Sequence, residues 1–313
     1  MNLVPSKGFT LAINAGNNQT TPIGSAFDSP LEVTITSNSG NEPVDDGIIT
    51  FVAPASGPST SFAPTATATI VSGLVSLDTT ANTVVGGPYN VTASTSGSNA
   101  VNFSLTNAKI TPTVVISSSA NPSLLNQTVT FTATVTSGLG IPSGNVTFVI
   151  DSTPQSAVTL VNGQATFSTA SLIVGTHAIT ANYSGDDNFN ASSGSLVGGQ
   201  TVLNQAPYTP SNPIPINTST NISTTQTLSW HGGDPDGDVV TYTIAFGSNN
   251  PPPIVETTTL TSFTPSLNFG TTYYWIITAT DGFSESTGPI WSFTTEAATS
   301  ADTEPVYLPV VLK

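Results

Sequence analysis

Three aspartates at alternate positions, in the segment "DPDGD", are the residues of this sequence best suited to chemistry. Asp234, Asp236 and Asp238 surround one glycine, and Asp281 lies in a second Asp-Gly turn further along the chain. Calcium prefers several closely spaced carboxylate and carbonyl oxygens, so these four residues form a candidate calcium site. The segment is not an EF-hand, because the twelfth position that needs a bidentate glutamate falls near Ile244 in a predicted strand.

A plain turn explains the same aspartates. Aspartate side chains in turns commonly accept hydrogen bonds from backbone amides a few residues further on. Fewer than the ~6 oxygens that calcium requires can be named from the sequence, so the turn is favoured and calcium is the alternative. No cofactor is required. The acidic pairs Asp186/Asp187 and Asp45/Asp46 are interpreted as hairpin turns.

Catalytic chemistry is not indicated. The chain has two histidines, His177 and His231, and no cysteine, which leaves no complete zinc ligand set. His177 alternates with Ile179 and Tyr183, which predicts a packed strand position. No G-x-S-x-G nucleophile elbow occurs, and the acidic residues fall in predicted turns or linkers. We therefore predict that the protein is not an enzyme.

The charge balance excludes one class of partner. The 313 residues carry 18 acidic and 3 basic side chains, all three basic ones lysines, for a formal net charge of −15. Nucleic-acid binders neutralise phosphates with lysine and arginine, so nucleic acid is not an expected partner. The lack of cysteine excludes a disulfide framework. No apolar stretch approaches the ~18 residues of a membrane-spanning helix.

Short runs of alternating apolar residues predict an all-β fold. These runs are separated by many of the 24 prolines and 26 glycines, and threonine, which favours strands, is abundant. Period-two alternation over short runs is typical of half-buried strands in a sandwich. The alternating sets include Phe9/Leu11/Ile13, Leu31/Val33/Ile35, Ile48/Thr50/Val52, Val146/Phe148/Ile150 and Tyr273/Trp275/Ile277/Ala279.

The runs form three groups of about 100 residues, the usual size of an immunoglobulin-like sandwich. We predict domains at residues 1–108, 109–204 and 205–297, followed by a linker and a C-terminal tail strand at 298–313. The segment "APYTPSNPIPIN" is rich in proline, and such segments are stiff and extended, so it is predicted to be a hinge between domains. The predicted architecture is therefore three tandem immunoglobulin-like or fibronectin III-like β-sandwiches in an extended rod, plus the tail strand.

Longer stretches resemble known families. "SSSANPSLLNQTVTFTATVTSG" and "GQATFSTASLIVGTHAITANYSGDDNFNASSG" resemble the bacterial Ig-like repeat of large secreted surface proteins. "GSAFDSPLEVTITSNSGNEPVDDGIITFVAPASGPSTSF" is similar to an invasin-like bacterial Ig-like repeat, and "TLSWHGGDPDGDVVTYTIAFG" with "FGTTYYWIITATDG" resembles a bacterial fibronectin type III module. The resemblances imply an extracellular or bacterial cell-surface location, and a role as stalk, adhesin or accessory module.

The segment "EPVYLPVVLK" has the strictest alternation in the chain. Val306, Leu308, Val310 and Leu312 fall on one face of a predicted strand. Two prolines in the segment lack backbone donors, which favours the edge of a sheet. Because "PIWSFTTE" already closes the third domain, the tail is surplus to it. Three roles are open: covering an edge of its own domain, adding a strand to a neighbouring molecule, or acting as a sorting tag.

The favoured function is a non-enzymatic extracellular structural protein, a subunit or stalk of a bacterial cell-surface fibre that self-associates head to tail through the C-terminal strand. The alternative is an adhesin or a carbohydrate-binding accessory region of a secreted polysaccharide-degrading enzyme, for which Tyr274, outside the predicted core face, is the one aromatic candidate. Nine Asn-x-Ser/Thr sites offer attachment points for glycans, and many such sites arise by chance in a chain rich in serine, threonine and asparagine. These sites are Asn18, Asn90, Asn102, Asn126, Asn145, Asn182, Asn190, Asn217 and Asn221.

Overall fold

The computed structural model describes residues 7–40 and 44–299. The regular elements of secondary structure in these two ranges are all β-strands, which confirms the predicted all-β class. In this part of the chain no segment forms a helix of the length and hydrophobicity needed to cross a bilayer. The predicted tail strand, with its interface residues Val306, Leu308, Val310 and Leu312, lies outside the described residues.

The chain separates into two compact units. The first comprises the residues up to Ala120 together with Val129–Thr169 and His177–Gln200. The second comprises Asn121–Thr128, Ala170–Thr176 and the residues from Thr201 onward. The domain boundaries expected from the sequence, after residues 108, 204 and 297, stay a prediction.

Nine strands of the first unit precede residue 109 and form two sheets. The strands are β1 (Phe9–Ala15), β2 (Gln19–Pro22), β3 (Leu31–Ser37), β4 (Ile48–Val52), β5 (Thr60–Ala63), β6 (Thr67–Thr69), β7 (Leu74–Ala81), β8 (Gly86–Ser94) and β9 (Val101–Ala108). One sheet has the order β1-β3-β7-β5 and the other has the order β2-β9-β8-β4-β6. Their neighbours are antiparallel except for β2 and β9, which pair in parallel. One apolar core contains buried residues from both sheets.

The next eleven strands lie between residues 113 and 203. They are β10 (Thr113–Ser118), β11 (Ser123–Leu124), β12 (Val129–Thr136), β13 (Asn145–Ile150), β14 (Thr153–Pro154), β15 (Val158–Thr159), β16 (Gln164–Thr169), β17 (Gly175–His177), β18 (Ile179–Tyr183), β19 (Ser192–Ser195) and β20 (Gln200–Leu203). In the first unit, one sheet has the order β10-β12-β16, and another has the order β14-β13-β18-β19 with β15 also on β13. β11 pairs in parallel with β20, with Ser123 opposite Val202.

The last nine strands belong to the second unit and carry the candidate site. They are β21 (Ser211–Ile214), β22 (Ser219–Ile222), β23 (Leu228–His231), β24 (Thr241–Gly247), β25 (Ile254–Thr258), β26 (Ser262–Phe263), β27 (Thr272–Thr280), β28 (Glu285–Thr287) and β29 (Trp291–Thr295). One sheet has the order β21-β23-β26; the other has the order β22-β29-β27-β24-β25, with β28 on β27. The parallel pairing in the larger sheet joins β22 to β29.

Aromatic side chains build the core of these last strands. Trp275 on β27 is fully buried, and the ring centroids of Trp291 and Trp230 lie 4.6 Å and 6.4 Å from its own. Tyr273 stacks on Phe246 at 5.0 Å. The face Tyr273/Trp275/Ile277/Ala279 predicted as core is buried throughout. Aromatic packing of this kind adds about 0.5–1.5 kcal/mol per pair to the burial of area.

Strand β4 buries the face opposite to the expected one. Ile49 and Phe51 are at most 1% exposed, whereas Ile48 and Val52 are 55% and 57% exposed. The sequence of β4, "IITFV", carries apolar side chains on both faces. A shift of one residue exchanges the two faces of a strand, so periodicity alone cannot choose between them.

Neutral hydroxyl groups join neighbouring strands on outward faces. The side-chain oxygens of Thr272 and Thr294 lie 2.9 Å apart, and those of Thr278 and Thr287 lie 3.1 Å apart. By contrast, the described part of the chain contains one ion pair, between His177 and Asp151. Cross-strand cohesion at these positions therefore rests on hydroxyls and not on charge.

Candidate cation site

The three alternating aspartates lie in the connection between β23 and β24. Both flanking strands are anchored in the core, β23 by Trp230 and β24 by Tyr242, whose rings meet at a centroid distance of 5.4 Å. One carboxylate oxygen from each of Asp234, Asp236 and Asp238 lies within 4.8 Å of the others. The structure thus brings together the three carboxylates that the sequence predicted.

Asp234 shapes the turn itself. Its Oδ1 accepts hydrogen bonds from the backbone N–H of Asp236 at 2.7 Å and of Asp238 at 3.4 Å. This is the backbone-capping arrangement that the turn interpretation predicted. The second oxygen, Oδ2, is buried and accepts no hydrogen bond from the described residues. One oxygen of Asp234 therefore holds the loop, and the other keeps an unused acceptor.

Asp236 is held by a residue that precedes the third group of strands. The backbone N–H of Gln205 donates to Asp236 Oδ2, and Gln205 Nε2 donates to Oδ1, both at 2.7 Å. Two bonds to one carboxylate fix its orientation as well as its position. The turn between β23 and β24 is thereby connected to the residues that follow β20.

Asp281 lies in the turn between β27 and β28, beside this cluster. Its Oδ1 accepts from the backbone N–H groups of Phe283 and Ser284, each at 2.7 Å, and its Oδ2 accepts from Asn204 Nδ2 at 2.8 Å. Partial burial raises the pKa of Asp281, but the hydrogen bonds outweigh it and hold the pKa at about 2. The carboxylate of Asp281 is therefore charged at neutral pH.

The cluster is electrostatically unbalanced. The pKa of Asp238 is raised above its ordinary value. Desolvation is the largest cause, and the negative charges of Asp234, Asp236 and Asp281 add to it. No ion pair in the described ranges neutralises any of these four carboxylates. A divalent cation at this position would replace repulsion with attraction.

The oxygens available here suit a hard cation. Asp234 Oδ2 and Asn204 Oδ1 are buried without a hydrogen-bond partner among the described residues. An all-oxygen set favours calcium or magnesium over zinc or copper. The oxygens match a hard cation in donor type; Asp234, Asp236 and Asp238 would be its ligands, and Asp281 would be a neighbouring charge.

Two residues of this site escaped the sequence analysis. Asn204 donates a hydrogen bond to Asp281, which lies 77 residues further along the chain. Gln205 donates to Asp236, which lies 31 residues further along. Neither residue belongs to a motif, and neither alternates with apolar neighbours. The one available signal was their place directly before the proline-rich hinge, where an amide can bridge to a following turn.

The pair Asp186/Asp187 behaves as a turn. Asp186 accepts hydrogen bonds from Ser143 Oγ at 2.7 Å and from the backbone N–H of Asn188 and Phe189 at 2.8 and 2.9 Å. Desolvation raises its pKa, but these bonds outweigh it and hold the pKa at about 2. Asp45 instead accepts from the backbone N–H of Ser72, which lies 27 residues further along the chain, so the hairpin turn expected at Asp45/Asp46 stays a prediction.

The two histidines differ in environment. His177 is buried, as predicted, and its Nδ1 lies 2.6 Å from Asp151 Oδ2, a partner that the sequence did not indicate. The hydrogen bond from His177 is the largest of the effects that lower the pKa of Asp151. His231 is exposed beside the ring of Tyr208, at a centroid distance of 6.4 Å.

The three tryptophans and Tyr274 offer little surface to a sugar. Trp230, Trp275 and Trp291, which are all the tryptophans of the chain, are buried in one core. Tyr274, the predicted outward aromatic, is half-buried. Sugar-binding sites commonly use exposed aromatic faces, so these residues give no support to a carbohydrate platform.

One segment of the chain matches a known protein family. Residues 116–202 match the family model of the bacterial Ig-like domain (group 3), which confirms the resemblance inferred for this stretch. A comparison with curated protein sequences found no match.

Several solved structures are similar to larger parts of the chain. One is a tetra-tandem repeat in the extending region of a large adhesion protein, at 17% identity, over 93% of this chain and 74% of that chain, with a TM-score of 0.39. Another is a Ca²⁺-stabilized adhesin that helps an Antarctic bacterium reach out and bind ice, at 18% identity, over 96% and 79%, with a TM-score of 0.31. A third comprises fibronectin(III)-like modules of CbhA from Clostridium thermocellum, at 15% identity, over 63% and 100%, with a TM-score of 0.26.

Proposed function

We propose that this chain is a non-enzymatic, extracellular structural segment of a bacterial cell-surface protein, a subunit or stalk of a surface fibre. The observation that carries the proposal is the bacterial Ig-like match at residues 116–202, set among described strands that pair mostly antiparallel. The three tryptophans support it, because all of them are buried in one core. The alternative, a carbohydrate-binding accessory region, is less well supported because Tyr274 is half-buried.

The tail supplies the link between subunits in this proposal. The larger sheet of the second unit contains six strands, and the last of them in sequence, β29, ends at Thr295, before the segment 306–312. A strand donated to a neighbouring copy makes a head-to-tail contact. Such a contact does not close on itself and therefore builds a filament.

Deleting the tail tests the fibre proposal. The full chain and a variant ending at residue 297 are compared by sedimentation velocity and by negative-stain electron microscopy. The full chain should form concentration-dependent polymers, whereas the shortened chain should stay monomeric with unchanged circular dichroism. Fibres formed equally by both chains would refute strand donation by the tail, and monomers from both would refute the fibre role.

A structural calcium ion completes the proposal. Asp234, Asp236 and Asp238 would hold it, with Asp281 close enough to raise the pKa of Asp238. The ion would supply the positive charge that the four carboxylates lack, and would stiffen the turn to which Gln205 is bonded. Extracellular modules commonly bind calcium with a Kd on the order of 10⁻⁴–10⁻³ M.

A further inference from the structure

The outer edge of β25 has no strand beside it among the described residues. β25 is the last strand of the sheet order and pairs with β24 alone. Ile254 and Val255 are 72% and 49% exposed, and Leu260, just beyond the strand, is 65% exposed. An exposed apolar edge strand is a ready template for pairing with another strand, and proteins normally shield it.

β25 differs from the edge strand β10 in how it is anchored. β10 buries Val114 and Ile116 and exposes Val115 between them. Four successive residues of β25, from Ile254 to Thr257, are exposed. The side chains of β25 are therefore not packed into the core, and Val255 forms an irregularity in its pairing with β24.

In an extended conformation the tail would have one complete hydrogen-bonding edge. In an extended strand the backbone groups of alternate residues point to the same side. The residues Val306, Leu308, Val310 and Leu312 all carry an N–H, whereas Pro305 and Pro309 both fall in the other row. A tail that pairs through the first row turns its prolines outward. It then ends the sheet instead of offering a new open edge.

The geometry of the sheet lets the tail reach β25 within one chain. The outer side of β25 lies four strand spacings from β29, about 19 Å. The ten residues 296–305 span up to about 33 Å when extended, and about 17 Å on average as a flexible linker. A linker whose average length matches the gap gives a high effective concentration of tail at the edge.

The strand directions fix the orientation of this pairing. β29 and β24 are both antiparallel to β27, and β25 is antiparallel to β24. β29 therefore ends at the same end of the sheet at which β25 begins. A tail that leaves β29 and crosses that end of the sheet runs parallel to β25.

We infer that residues 306–312 pair in parallel with the outer edge of β25 of the same chain and close it. This pairing goes beyond the proposed function, because it forms within a single molecule and needs no second copy. It also bears on that function: exchange of the same contact between copies, as in domain swapping, is the step by which a fibre would grow.

Hydrogen exchange with a matched pair of proline variants tests the inference. Leu308→Pro removes an N–H from the row that faces β25, whereas Val311→Pro adds a proline to the outward row. Mass spectrometry follows the peptide that covers Ile254–Thr258 in both variants, in the full chain and in a chain ending at residue 303. The full chain and Val311→Pro should exchange slowly, and the other two roughly tenfold faster or more.

The outcomes separate the inference from the fibre proposal. Equal exchange in all four proteins would overturn the inference. Protection that appears only at high protein concentration would overturn pairing within one chain and would support strand donation between copies. Concentration-independent protection in a chain that never polymerises would leave the inference standing and would remove the fibre role.

Discussion

Calcium should raise the unfolding temperature of the core that surrounds Trp275. At about 10 mM free calcium, a site with a Kd on the order of 10⁻⁴–10⁻³ M stabilises the folded state by about 1.4–2.7 kcal/mol. Each kcal/mol shifts the midpoint of a domain of 60–100 residues by about 4–8 °C. We therefore expect the midpoint to rise by at least about 5 °C relative to the protein in chelator.

Tryptophan fluorescence is the suitable assay because of where the tryptophans lie. Trp230, Trp275 and Trp291 are the three tryptophans of the chain, and all belong to the core next to the aspartate cluster. Their emission during a thermal melt reports on that core and not on the first unit. Magnesium, which demands a stricter octahedral geometry, should give a smaller shift at equal concentration.

Two aspartate variants make the test specific. Asp238→Asn removes the carboxylate whose pKa is raised by its neighbours, so it should stabilise the calcium-free protein and abolish the calcium shift. Asp187→Asn changes the net charge equally at an exposed position outside the cluster, and should keep the full shift. The reasoning is refuted if calcium leaves the wild-type midpoint unchanged, or if Asp238→Asn responds as the wild type does.

Three further predictions concern the first unit. Asn107→Ala removes a buried amide whose Oδ1 accepts from the Tyr89 hydroxyl at 2.9 Å, and should cost about 1–3 kcal/mol in urea denaturation; a loss under half a kcal/mol would contradict this. Asp186 has a folded pKa of about 2, below its unfolded value, so its stabilisation is lost as pH falls from about 4 to about 2; Asp186→Asn should flatten that part of the profile of melting temperature against pH. Gly194→Ala would put a Cβ 2.2 Å from a backbone oxygen of β10 and should destabilise by about 1–3 kcal/mol, whereas Gly138→Ala, with open space around it, should not.

Alternation predicted the strands well where one face alone is apolar. The run Tyr273/Trp275/Ile277/Ala279 was predicted as core and is buried. The β4 segment was assigned to the wrong face because Ile48 and Ile49 are both apolar, and tertiary packing decides which of them is buried.

The aspartate cluster was predictable in part. The spacing of Asp234, Asp236 and Asp238 within one loop brings them together locally, so the sequence is sufficient to place them. The contribution of Asn204 depends on a contact with Asp281, far along the chain. Such contacts follow from how strands assemble, which local residue patterns do not encode.

The threonine pairs that join β27 to its neighbouring strands affect how the stability of these sheets depends on salt concentration. A hydroxyl pair such as Thr272 and Thr294 carries no net charge, so dissolved ions do not screen it as they screen a surface ion pair. Added salt would also weaken the repulsion within a chain of net charge −15. Sheets joined in this way should hold together as firmly in brine as in fresh water.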